Sequence, residues 1–101
     1  MEKVDIYIKP VEKVQIVRKR EVLLRDVAEV FVSGQTKGEA ETLPVFRIPS
    51  DRKKTYLLSV IDLIQALHQK YPDATISNVG EMDILIEYLP EAERKRKQMP
   101  V

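Results

Sequence analysis

The chain has no cysteine, a single histidine and three glycines in 101 residues, and its charges nearly cancel. Without cysteine there is no disulfide, no thiolate metal site and no cysteine nucleophile, while the redox compartment is left undecided. Seventeen basic residues against sixteen acidic ones give a formal net charge of +1. That balance sets up no global field for nucleic acid, so a charged partner must be attracted locally. The opening Met-Glu-Lys-Val-Asp lacks the apolar run of a secretory signal, which predicts a domain made in the cytosol. Internal repeats and low-complexity runs are missing too.

What is present suffices for one core. With 44% apolar and 33% charged residues, the composition predicts a single domain over residues 1–90. The strongest periodicity lies in residues 59–71. Val60, Ile64, Leu67 and Tyr71 recur at helical spacing, Ile61 and Leu63 widen the stripe, and Asp62, Gln65 and Gln69 occupy the other side. Ser59 is placed to accept a backbone hydrogen bond at the helix start, Asp62 puts negative charge in the first turn, and Pro72 stops the helix. Beyond Gly80 the period becomes two, setting Met82, Ile84, Ile86 and Tyr88 on one face of a strand. This pattern predicts burial of Ile61, Ile64, Leu67, Ile84 and Ile86 against one another.

The rest of the chain reads as two blocks. In the first, residues 1–32, alternation at 4–8 and 13–18 around Pro10 predicts a hairpin. A short helix follows, offering Leu24, Val27, Ala28 and Phe31 to it, an order that suggests a β-grasp-like opening. Residues 33–42 hold two of the glycines and no large apolar residue, so an exposed loop is expected. The second block, 43–90, starts with an edge strand at Leu43, Val45 and Ile48, confined there by Pro44 and Pro49. Tyr56, Leu57 and Leu58 then enter the main helix, with strands at 74–77 and 82–88 after it. The fold class is therefore α+β, two small sheet-plus-helix blocks, the second ordered strand-helix-strand-strand.

Few residues could carry chemistry. His68 falls at the margin of the helix stripe, where it reads as a partly exposed structural imidazole without a positioned catalytic partner. Glu39 with Glu41, and Asp83 with Glu87, could be taken for carboxylate pairs, but the first is in a loop and the second lacks the dense oxygen ligands of a calcium site. Gly34 and Gly38 bracket a lysine without the Gly-Lys-Ser/Thr ending of a phosphate loop. No enzyme, cofactor or metal is expected. Two basic clusters remain. Arg18-Lys19-Arg20 sits at a turn, where such charges solubilise a loop or contact a partner. Arg94-Lys95-Arg96-Lys97 follows the last strand, with no apolar face to pack.

Ile6-Tyr7-Ile8-Lys9, Leu23-Leu24-Arg25-Asp26-Val27-Ala28-Glu29-Val30 and above all Val79-Gly80-Glu81-Met82-Asp83-Ile84-Leu85-Ile86-Glu87-Tyr88 carry a resemblance. In this order, over roughly residues 5–90, the chain resembles the amino-terminal domain of stage V sporulation protein AA. The resemblance implies a subunit of the spore inner-membrane complex that moves dipicolinic acid, with calcium, into the developing spore and out on germination. It also implies membrane helices after a soluble domain, whereas this chain ends at Val101 without one. On that footing residues 91–101 are expected to be a juxtamembrane tail, its four cations on the cytoplasmic side beside anionic headgroups. The domain would be a non-enzymatic assembly or gating module, its partners the other channel subunits. A small nucleic-acid-binding α+β module is the alternative, opposed by the neutral charge, the lack of a Gly-x-x-Gly clamp and dispersed aromatics.

Overall fold

The computed structural model describes residues 4–33 and 37–90. Its elements run β1 Asp5–Pro10, β2 Lys13–Val17, β3 Glu21–Leu23, α1 Leu24–Val27, β4 Ala28–Val32, α2 Lys37–Glu41, β5 Pro44–Arg47, β6 Lys54–Ser59, α3 Val60–Lys70, β7 Thr75–Asn78 and β8 Asp83–Leu89. The class is α+β. Three sheets form, ordered β4-β1-β7, β2-β8-β6 and β3-β5.

Each sheet takes strands from both sides of residues 33–42, so the strands do not pair within two separate blocks. The expected hairpin is also absent. β1 pairs antiparallel with β4 and parallel with β7, while β2 pairs parallel with β8. Residues 5–17 and 75–89 are in effect two long bent strands lying side by side, kinked together at Val11-Glu12 and at 79–82. Pro10 marks a change of sheet, and with the hairpin goes the basis for a β-grasp opening. The kink is tied by the backbone. Val79 N–H donates to Ile8 O at 2.8 Å, Glu81 N–H to Pro10 O at 3.3 Å and Leu85 N–H to Glu12 O at 2.9 Å.

The short helix expected from Leu24 shrinks to the single turn of α1. From Ala28 the backbone is extended, because Ala28, Val30 and Val32 alternate inward against Glu29 and Phe31, a period-two pattern that β1 completes through Ile6↔Val32 and Ile8↔Val30. Phe31 is consequently 64% exposed and does not join the core. Residues 33–42 depart from the loop reading as well. Lys37–Glu41 is a short helix that buries Ala40 completely, an anchor too small to register as apolar weight.

Tyr56, Leu57 and Leu58 lie in β6, not in the helix. They pair antiparallel with β8, from Lys54↔Tyr88 to Ser59↔Asp83, with Tyr56 and Leu58 inward and Leu57 outward. The helix begins only after Ser59, whose Oγ accepts the Ile61 N–H at 3.2 Å, as expected, and ends before Pro72. α3 buries Val60, Leu63 and Leu67, leaves Ile64 half-buried and turns Ile61 outward. Ile61 lies about 100° around the helix from Val60, on the flank of the stripe and not on its axis. Ile84 and Ile86 of β8 are buried as anticipated, whereas Met82, before the strand begins, is 66% exposed.

Candidate functional site

The turn after β2 is built around cations. Arg18 adopts φ 65°, the left-handed region that favours glycine, and its N–H donates to Leu89 O at 3.4 Å. Lys19 Nζ meets the Asp26 carboxylate, which also accepts the Leu23 N–H at 2.9 Å and so steadies α1. Arg20 reaches across to the segment after β5, donating from Nε to Ile48 O at 3.0 Å and from Nη2 to Pro49 O at 2.7 Å. Lys19 and Arg20 thus engage their own chain. Arg18, Arg20, Arg47, Glu21, Asp51 and Tyr88 together surround a cavity of about 390 Å³.

Tyr88 closes that cavity from below. It is buried, and its hydroxyl donates to the Asp51 carboxylate. The hydrogen bond to Asp51, then burial, holds the phenol above its ordinary range. Above about pH 10 the unfolded chain gives up this proton more readily than the folded one, so the folded state holds more protons and stability falls as pH rises. The expected result is a thermal midpoint that drops more steeply above about pH 10 in the parent than in Tyr88→Phe, as tyrosine normally titrates there. Melting curves between neutral and alkaline pH measure it, and parallel slopes for the two proteins would contradict it.

A second concavity, of about 540 Å³, lies on the outer face of the β4-β1-β7 sheet. Tyr7 and Phe31, opposite each other in the β1–β4 register, meet there with ring centroids 6.3 Å apart. Lys9, Arg25, Glu29 and Glu41 complete it, two bases against two acids. Sequence separation made these aromatics look dispersed; the ladder brings them together.

The acidic pairs do not form ion sites. Asp83 and Glu87 share one face of β8 but are about 13 Å apart at ~3.3 Å per residue. Glu87 is taken up by Lys13 at 2.6 Å, a contact that lowers the carboxyl pKa and raises that of the ammonium. Glu39 accepts from the Tyr71 hydroxyl at 3.5 Å. Among the described residues no three His, Cys, Asp or Glu side chains gather as a metal would require. His68 is exposed in the last turn of α3, and Gly38 sits in α2 with open space around it. Gly34 and Arg94, Lys95, Arg96 and Lys97 lie outside the described residues. Among those that are described, no helix is long and apolar enough to cross a membrane.

Sequence reasoning missed one feature altogether. Leu57, in the middle of β6, Ile61, in the first turn of α3, and Met82, just before β8, are 68%, 57% and 66% exposed. Val60 N–H donates to Met82 O at 2.8 Å, which holds the start of α3 against the residue before β8. The available signal was parity: with Tyr56 and Leu58 inward, Leu57 must face out.

A family model described as stage V sporulation protein AA matches residues 3–92. None of the curated proteins matches the chain. Among solved structures, the crystal structure of a functionally unknown protein from Eubacterium ventriosum superposes with a TM-score of 0.79 at 24% identity, covering 87% of this chain and 96% of that one. That likeness is one of fold.

Proposed function

The chain belongs to the stage V sporulation protein AA family and has a role in sporulation, and from that membership we propose that it is a subunit of the spore inner-membrane channel for dipicolinic acid. In this reading the domain lies on the cytoplasmic side as a non-enzymatic assembly or gating module. Arg94, Lys95, Arg96 and Lys97 sit next to anionic headgroups, each worth roughly 1 kcal/mol near the surface. The observation that carries the proposal is the family match over residues 3–92. The exposed Leu57, Ile61 and Met82 are the side chains such a contact would cover.

A nucleic-acid module has one observation in its favour, the paired rings of Tyr7 and Phe31 on an open sheet face. The two acids there cancel the two bases, however, and phosphate binding needs net positive charge. Disrupting the gene should yield spores with little dipicolinic acid. A protease-cleavable tag at the amino terminus of the full-length protein should be protected from the outer side of the inner membrane. Normal dipicolinate content would sink the channel reading, and cleavage from outside would overturn the orientation.

A further inference from the structure

We infer that β6 is a self-association edge, on which a second copy of this chain adds its own β6 antiparallel to make a continuous sheet ordered β2-β8-β6-β6-β8-β2. The inference is independent of the channel reading. β6 is the longest edge strand among the described residues, six residues in unbroken register with β8, and no described strand pairs with its outer side. Its outward N–H and C=O groups form no hydrogen bond with another described element. A free edge of this kind is a template for pairing unless proline, charge or a bulge blunts it.

The other edges are blunted or shorter. β5 opens with Pro44 and ends with Arg47, β4 carries Glu29 and packs beside α1 and α2, β7 has four residues and packs beside α3, and β2 and β3 have five and three residues. β6 has a charge only at its first residue, and Leu57 stands exposed at its middle.

The occupant follows from how charge is distributed along the edge. Arg52, Lys53 and Lys54, all exposed, precede or open the strand. At its other end Ser59 lies opposite Asp83, with Glu81 and Asp62 exposed close by. The two ends are about 17 Å apart at ~3.3 Å per residue, beyond a Debye length of about 8 Å at physiological salt, so each end acts locally. Antiparallel pairing of two copies brings each basic end against the acidic end of the other, whereas parallel pairing sets like against like. Centred on Leu57, that register places Leu57 against Leu57 of the second copy and Thr55 against Ser59. It draws Ile61 and Met82 of each copy toward the same seam. The edge is self-complementary in shape, polarity and charge.

Sedimentation equilibrium of the 101-residue chain should show a mass rising with concentration to twice that of the chain, and the association should weaken as salt is raised. Two charge-reversed chains, Lys53→Glu with Lys54→Glu and Asp62→Lys with Asp83→Lys, should each remain monomeric. Mixed in equal amounts they should form a heterodimer, a rescue that misfolded variants could not give. Circular dichroism confirms that each is folded. Because the chain lacks cysteine, Leu57→Cys reads the register directly: directly opposed cross-strand Cβ atoms lie ~4.5–5.5 Å apart, close to disulfide range. It should oxidise to a covalent dimer far faster than Val79→Cys, which is equally exposed but lies away from β6. A parent chain that stays monomeric at its highest soluble concentration overturns the inference. So does a charge-reversed mixture that does not associate, or equal oxidation of the two cysteine variants.

Discussion

Leu67→Ala is expected to lower the free energy of unfolding by about 2 to 5 kcal/mol. Leu67 is fully buried on α3, among the side chains that join the helix to the core of the sheets, and its truncation leaves a void that its neighbours cannot all fill. Domains of this size are stable by only about 5–15 kcal/mol, so the variant should be close to its folding threshold at moderate temperature. Ile61→Ala, six residues earlier on the same helix, should change stability by no more than about 0.5 kcal/mol, because that side chain is 57% exposed. Urea midpoints followed by circular dichroism compare the two. Equal losses would mean that α3 presents a different face to the core.

Gly80→Ala should be the most damaging small substitution in the chain. A methyl at residue 80 would lie 2.8 Å from both N and O of Pro10 and 2.9 Å from the carbonyl carbon of Lys9. Those are backbone atoms, and they are held in place by the bonds from Val79 and Glu81 that tie the two kinks together. Overpacking commonly costs about 1–3 kcal/mol, and here the relief would have to come from separating the bent strands, so a loss at the upper end or beyond is expected. Gly38→Ala is the matched control. Its added methyl would meet nothing within 4 Å, and alanine favours the helix there by about 0.5–1 kcal/mol. A Gly80→Ala midpoint equal to that of Gly38→Ala would show that the kink opens without resistance.

The limits of local pattern are visible at particular residues. Ser59, Asp62 and Pro72 framed α3 correctly because caps and breakers act within one turn of the chain, and the alternation from Ile84 to Tyr88 marked β8 because strand parity is a local property. Residues 24–32 and 54–59 failed for a shared reason. Short apolar stretches satisfy helix and strand equally well alone, and the ladder partner makes the choice, β1 for β4 and β8 for β6. Of the surface, the cations at 18–20 were legible as a cluster, but not that Lys19 and Arg20 are bound to Asp26 and to the carbonyls of Ile48 and Pro49. Those partners are 7, 28 and 29 residues away.

By itself the sequence determined the α+β class, the cap and stop of the main helix, the inward face of the last strand from Ile84 to Tyr88, the exclusion of thiol chemistry and the family. Each of these depends on composition, on spacing within a turn or two, or on the order of segments. Only the tertiary structure decided which strands are neighbours, that residues 5–17 run beside 75–89, that β6 is an edge, and that Leu57, Ile61 and Met82 are left exposed. Pairing between distant strands is chosen by the summed burial and hydrogen bonding of the whole chain, and no window of neighbouring residues contains that sum.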